Sequence, residues 1–367
     1  MSKAATHRLD ETGRPTIYDV AHRAEVSPAT VSKVLSGVTT VGKANAARVL
    51  DAVRALDYRR DPLAANLRRG RRSLIGLIIP DFKNPFFGAL ISAIEQCSAA
   101  SEFELVTVSS GPSGAAEARQ IAALLDWRVA GMIVIPSSAR FPSRRALQSA
   151  AVPTVLLDRI SPELPFDGVG VDNDVACARM VGRFYDAGHR TLLVAASTPG
   201  LPNMRERIAG TCASGATMPE PMQIEVLSCG NDLAAATQVV ADRFAEGPQP
   251  TAVFTLFIEA TLAVLREVNR RGLSIPGALS LAGFDDFEWL QVLHPPIATV
   301  VQPIEAMAVA AWERLMQRIE TPEPAHDLTR VPCQLDFRSS IAGPPSKPRS
   351  PQSGGPRIKP TPQRRIS

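Results

Sequence analysis

Between Thr16 and Ser36 the apolar positions fall twice into a helical period, with a break of a few residues between them. Ile17, Val20, Ala21 and Ala24 recur at i, i+3, i+4 and i+7, which predicts a short helix with one buried face. Thr16 stands where an N-cap belongs, with Asp19 three residues on. Glu25-Val26 reads as a turn. Ser27 then caps a second helix, and Pro28 occupies its first position, where a missing N–H costs nothing. Val31, Val34 and Leu35 form the packed face of that helix, which leaves Ala29, Thr30, Ser32 and Lys33 outward. Two short helices joined by a tight turn, with polar side chains at the start of the second, make the pattern of a helix-turn-helix that enters DNA. Lys43 to Leu56 supplies a third helix through Ala46, Val49, Val53 and Leu56. Three such helices bury little core, which suits a DNA-bound module better than a free-standing domain.

From Ser73 onward the pattern changes. Short apolar runs (LIGLII, ELVTV, GMIVI, TVLL, GVGV, TLLVAA, IEVLS, AVFTLF, LSLAGF) alternate with helical segments. Continuous apolarity predicts strands covered on both faces, hence parallel sheets in a doubly wound α/β arrangement, with room for two sheets. Such folds bind ligands beyond the carboxyl ends of their strands. The polar residues there are Asp81, Ser137, Asp158, Ser197 and Asp285. Each alone can cap the helix or turn that follows; several converging favour a pocket. No GxGxxG, GxxxxGK[ST] or GxSxG occurs, so neither nucleotide nor hydrolase chemistry is signalled, and the reading is that the chain is not an enzyme and needs no cofactor or metal.

Charge sharpens the division. Residues 1–73 hold 14 Lys and Arg against 7 Asp and Glu, residues 74–340 hold 20 against 29, and the last 27 hold six against none. A basic head on an acidic body fits phosphate binding at one end. Residues 57–73, DYRRDPLAANLRRGRRS, carry six arginines together with Leu67; this run is helical only where its charge is neutralised. Residues 341–367 are rich in Pro, Gly and Ser and read as a disordered basic tail without leucine heptads. Cys97, Cys177, Cys212, Cys229 and Cys333 show no metal spacing and read as buried thiols in a reducing compartment. No apolar signal core opens the sequence and no apolar run approaches 18 residues, so the expected location is the cytoplasm, away from membranes.

The motifs TIYDVA…VSPATVSKVL, DPLAANLRRG, LIGLIIPDFKNPFF, VAGMIVIP, VPTVLLDR, GVGVDND, AGHR, RIAG, GFDD and TVVQP follow one another in the order of the LacI/GalR family of bacterial transcriptional regulators, which the chain resembles from Thr16 to about Ser340. The resemblance implies an all-α helix-turn-helix domain at 16–61 behind a flexible 1–15, a hinge helix and linker at 62–73, and a periplasmic-binding-protein-like core at 74–340. The core would divide into subdomains of about 74–171 with 304–331 and 172–303 with 332–340. It also implies a homodimer on a near-palindromic DNA operator, with Pro28, Ala29 and Lys33 at base edges and Thr16, Tyr18, Ser27, Thr30 and Ser32 on the same DNA face. Ala64, Leu67 and Arg68 would belong to a hinge helix that folds on the operator, Leu67 wedging into the minor groove. The family usually has arginine at the position of Lys33, and an ammonium is a point donor where a guanidinium is a fork. Arg60-Asp61 replaces the usual Pro-Asn before the hinge, and Gly42 stands where a serine commonly caps the third helix.

For the core the resemblance implies a small-molecule effector held by Asp158, Arg207 and Asp285. Phe257-Ile258 stands where the family commonly has an Asn-Asp pair that binds sugar hydroxyls. The expectation is therefore an effector less hydroxyl-rich than a hexose, a ring or short chain bearing an acid or amine, against an apolar wall of Phe82, Phe86 and Phe257. Three readings stand at this point: an effector-modulated regulator, with repression as the family's bias; a DNA-binding regulator that has lost sugar sensing; and a non-regulatory small-molecule-binding α/β protein.

Overall fold

In the computed structural model the described residues are 15–35, 38, 40–58, 74–111, 113–138, 140–321 and 326–345. The proposed hinge helix at 62–69, with Ala64, Leu67 and Arg68, and the tail beyond 345 lie outside them. The chain divides into two compact units, residues 1–72 and 73–367.

The first unit contains α1 (Ile17–Arg23), α2 (Pro28–Leu35) and α3 (Lys43–Ala55). Asp19 Oδ2 accepts both the backbone N–H and the hydroxyl of Thr16 at 2.7 Å, closing the start of α1. Glu25 turns the chain in the left-handed region, φ 52°. Ser27 Oγ accepts the N–H of Thr30 at 3.2 Å, the expected cap of α2. Ile17, Val20, Ala21, Ala24, Val31, Val49 and Ala52 make the core, with Val34, Leu35, Val53 and Leu56 packed around it. Gly42 at the N-cap of α3 offers no side chain.

The second unit holds two six-stranded sheets. The first contains β1 (Leu74–Ile79), β2 (Glu104–Ser109), β3 (Gly131–Val134), β4 (Thr154–Leu157), β5 (Asp167–Val171) and β11 (Leu328–Val331), ordered β11-β5-β4-β3-β1-β2, all parallel. The second contains β6 (Thr191–Ala196), β7 (Gln223–Ser228), β8 (Ala252–Thr255), β9 (Ser280–Phe284), β10 (Ala298–Val301) and β12 (Gln334–Asp336), ordered β12-β10-β9-β8-β6-β7, with β12 alone antiparallel. Helices α4 (Pro85–Ala99), α5 (Gly114–Asp126) and α6 (Arg144–Ala150) connect strands of the first sheet. Those of the second are connected by α8 (Pro202–Thr217), α9 (Leu233–Ala245), α10 (Ile258–Arg271) and α11 (Glu288–Gln291). Between β5 and β6 runs α7 (Asn173–Asp186), and α12 (Ile304–Glu320) returns from β10 to pack on α4 and on β3, β4 and β5. The chain thus crosses between the lobes three times, after β5, β10 and β11.

Two sequence expectations need correction here. ELVTV and IEVLS are not covered on both faces: β2 and β7 close the sheets at one edge, β2 half-exposed along most of its length and β7 exposed along most of it. Cys97 and Cys212 are half-buried, whereas Cys177, Cys229 and Cys333 are buried; all five are free thiols.

A buried carboxylate anchors α12. Asp167 Oδ2 accepts from Arg318 Nε at 2.5 Å, and Oδ1 accepts from Arg314 Nη2 at 2.9 Å and the N–H of Asp327 at 2.8 Å. Burial alone would raise its pKa, but these donors outweigh burial and hold the carboxyl below its ordinary value.

Candidate functional site

The carboxyl ends of both sheets open onto one cleft of about 200 Å³. Asp81 follows β1, Ser137 follows β3, Asp158 follows β4, Ser197 follows β6 and Asp285 follows β9, and all five rim residues expected from the sequence line it. Asp158 and Asp285 take left-handed backbone conformations, φ 62° and 77°. Asp tolerates this region better than most side chains, and two such positions at the ends of strands are the kind of strain that collects at functional sites. The starts of three helices complete the walls: Phe86 and Phe87 from the first turn of α4, Asn203, Met204 and, one turn on, Arg207 from α8, and Glu259 from the first turn of α10.

Arg207, 3% exposed, is held from several sides. Its Nε donates to Asn173 Oδ1 at 2.8 Å, its Nη1 donates to the Leu256 carbonyl at 2.9 Å, and its guanidinium lies 3.5 Å from the centre of the Phe284 ring. Its Nη2 is 4.0 Å from Asp158 Oδ1. Asp158 Oδ2 accepts from Asn203 Nδ2 at 2.9 Å and lies 3.8 Å from Arg159 Nε. Arg159 Nη1 in turn donates to the Pro136 carbonyl at 2.9 Å, and burial lowers the proton affinity of this guanidinium. Across the cleft Gln302 Nε2 donates to Asp285 Oδ1 at 2.5 Å. Burial pushes the Asp285 carboxyl up, and burial followed by the charges of Asp285 and Asp81 does the same to Glu259. Behind the wall, buried Glu117 fixes the rim by accepting the N–H of Ser137 through Oε2 at 2.5 Å.

The structure brings Phe86, Asp158, Arg207, Phe257 and Asp285 together in this cleft. Phe82 is a correction. Asp81 Oδ1 accepts the N–H groups of Lys83 and Asn84, at 2.7 and 2.9 Å, in a tight turn, and Phe82 is left 60% exposed and away from the lining. The apolar wall is also less dominant than expected, because Asn84, Asn203, Asn231 and Gln302 place amide groups in the cleft. Phe257 forms part of one wall beside an open cleft, and Ile258 is buried away from it. Sequence reading missed Arg159, Asn203, Glu259 and Gln302. Arg159 was within sight, one residue beyond Asp158 in LLDR, and Gln302 stood in TVVQP. Glu259 directly follows the Phe257-Ile258 pair.

In the helical unit Tyr18 is 68% exposed, and Ser27, Ala29 and Lys33 are exposed. Pro28, Thr30 and Ser32 are half-buried. The hydroxyls of Ser27 and Thr30 lie 2.9 Å apart, so both take part in the cap. Arg48 reaches Glu25 at 3.3 Å and Asn45 at 2.8 Å. Among the described residues no helix is long and apolar enough to cross a membrane.

Residues 16–61 match the family described as bacterial regulatory proteins, lacI family, and residues 181–341 match the periplasmic binding protein-like domain. The HTH-type transcriptional regulator PtxS of Pseudomonas putida is 32% identical over 344 residues, covering 93% of this chain and 97% of that protein. A LacI-family transcriptional regulator from Silicibacter pomeroyi has a crystal structure that superposes with a TM-score of 0.74 at 25% identity, over 89% of this chain and 99% of that one. The lac repressor dimer bound to operator and the anti-inducer ONPF superposes with a TM-score of 0.78 at 23% identity, over 90% and 100%.

Proposed function

The chain belongs to the lacI family of bacterial regulatory proteins and is a DNA-binding transcriptional regulator, and from that premise we propose that it is a repressor whose homodimer grips a near-palindromic operator under the control of a small molecule in the cleft. The observation that carries the effector part is the convergence of polar residues from the strand ends of both sheets, around the buried Asp158 and Arg207, on one open cleft. A purely structural interior would fill that space with apolar side chains. For the DNA part, α2 presents Ala29 in its first turn and Lys33 in its last turn outward, with Pro28, Thr30 and Ser32 half-buried beside them. In this reading Pro28, Ala29 and Lys33 meet base edges while Thr16, Tyr18 and Ser27 position the unit on the backbone. Ala64, Leu67 and Arg68 are assigned to the hinge contact, with Leu67 as the minor-groove wedge. One helix-turn-helix reads only a half-site, so a dimer doubles the motif. Selection from random duplexes tests this directly: a two-fold symmetric motif is the expected product, and enrichment of a single unpaired half-site, or of nothing, overturns it. Leu67→Ala is expected to reduce DNA bending on that motif while leaving the melting temperature of the core unchanged, as read by a bend assay beside a thermal scan.

A further inference from the structure

Four carboxylates line the cleft, Asp81, Asp158, Glu259 and Asp285, against two guanidinium groups, Arg159 and Arg207. Both guanidiniums lie beside Asp158, and their hydrogen bonds go to Asn173 and to backbone carbonyls. Asp81 is occupied with its turn and Asp285 with Gln302. Glu259 differs: among the described residues no side chain hydrogen-bonds it, and its ionised form is favoured only by its own backbone N–H in the first turn of α10 and, less, by the charge of Arg159. The cleft thus lines its space with two more carboxylates than guanidiniums, and among the described residues Glu259 is the one of the four that no other residue hydrogen-bonds.

A second observation concerns buried acceptors. Asp158 Oδ1 and Gln302 Oε1 lack a hydrogen-bond partner although their residues are only 4% and 6% exposed and both line the cleft. Leaving such atoms dry and unpaired is costly, so whatever occupies the cleft has to bring donors.

We propose that the cleft selects a small molecule carrying a protonated amine, and that Glu259 is the residue that meets the ammonium and sets the charge preference. The proposal rests on the effector-binding reading above. An ammonium brings three donors and no acceptor, and it places a positive charge where carboxylates outnumber guanidiniums. With Glu259 it forms a hydrogen-bonded ion pair in which both partners are charged, whereas a sugar hydroxyl brings no charge to the same carboxylate. Arg159 Nε and Ser137 Oγ, which make no hydrogen bond among the described residues, supply donors for an oxygen elsewhere on the same molecule. Glu259 thus restores a polar anchor one residue beyond Phe257 and Ile258, and it exchanges a preference for hydroxyls for a preference for charge.

The test uses the full chain, calorimetry and thermal shift, and two sets of size-matched probes: glucosamine, glucose and gluconate; 4-aminobutanol, 1,4-butanediol and 4-hydroxybutyrate. The expected result is that at least one amine raises the melting temperature more than its neutral and acidic counterparts. Glu259→Gln is expected to weaken that amine by about tenfold or more with the fold intact by circular dichroism. Glu259→Lys, on the same half-exposed position, is expected to turn the preference toward the acid. If in neither set the amine stabilises the wild type more than its neutral and acidic counterparts, the proposal is overturned, as it is by full amine affinity in Glu259→Gln. If an acid binds and alters operator affinity, effector control stands and the amine assignment falls. If no probe of any class binds, both fall.

Discussion

Asp285 sits at the end of β9 in a backbone conformation that most residues avoid, and it is 8% exposed. Burial raises its proton affinity in the folded state above that in the unfolded chain. The sign follows from linkage. The folded protein binds this proton more tightly than the unfolded chain does, so the group costs stability as pH rises from about 4, the ordinary carboxylate value, through the raised one. Asp285→Asn removes that titration and keeps an acceptor for Gln302 Nε2. The melting temperature of the variant is expected to gain on the wild type as pH increases across this window; parallel curves would show that Asp285 does not titrate there. Lys33 calls for a different measurement. An ammonium on the outward face of α2 that reaches a base edge acts at particular base pairs, whereas one that reaches phosphate weakens all sequences alike. Lys33→Ala is expected to relax preference at one or two positions of the selected motif, and a uniform loss across sequences would assign it to the backbone.

At the scale of elements, Gly210 shows how closely α7 and α8 approach. A Cβ there would lie 2.4 Å from the Asp174 Cα and 2.5 Å from its carbonyl oxygen, and backbone has nowhere to retreat. Gly210→Ala is expected to destabilise the core by about 1–3 kcal/mol, the usual cost of overpacking. Because Arg207 and Asn173 lie on these two helices, it is also expected to disturb the cleft; a denaturation midpoint equal to wild type would refute the close approach. RIAG marked this glycine in the sequence without giving its reason, since helix contacts are not visible in a linear pattern. Strands in the interior of the sheets were legible because burial on both faces leaves an unbroken apolar run, as in LIGLII, TVLL and TLLVAA. β10, β11 and β12 were not: ATVV is mostly buried but only four residues long with a threonine inside the run, LTRV is exposed at its middle and QLD is three residues long, so none carries the signature. The same logic explains the cleft. Asp81, Ser137, Asp158, Ser197 and Asp285 could be read as strand-end residues, whereas Asn203 and Glu259 come from helix starts that only the folded lobes bring to the same space. Phe82 misled for a related reason, because neighbouring residues in a tight turn point to different sides.

At the scale of the whole chain, charge is divided between a basic N-terminal part and an acidic core, and a regulator of this kind gains much of its DNA affinity by releasing counterions. Operator affinity is expected to fall linearly with salt on logarithmic axes, and a flat dependence would remove phosphate neutralisation as the source. Control by an effector further requires that occupancy of the cleft reach the places where the lobes are joined. A hydrogen-bond chain runs there from the ligand-facing side. Arg207 Nε donates to Asn173 Oδ1, Asn173 Nδ2 donates to Glu206 Oε2 at 2.9 Å, and Arg330 forks onto both Glu206 oxygens at 2.9 and 2.6 Å. Arg330 Nη1 also donates to the Val171 carbonyl at 3.0 Å, which ties β11 to the end of β5, where the first crossing begins. The Glu206–Arg330 pair is partly exposed, so its contribution to global stability is small, about 1 kcal/mol or less. Its larger consequence is local, since it fixes two crossings against each other through one guanidinium. Arg330→Met keeps much of the apolar stem and removes the fork. It is expected to lower the melting temperature slightly while hydrogen exchange quickens at residues 171–173 and 331–334 and stays unchanged in the interior strands β3, β4, β8 and β9. Unaltered exchange at both crossings would show that the lobes are joined by packing alone, and that this polar chain does not link the cleft to the crossings.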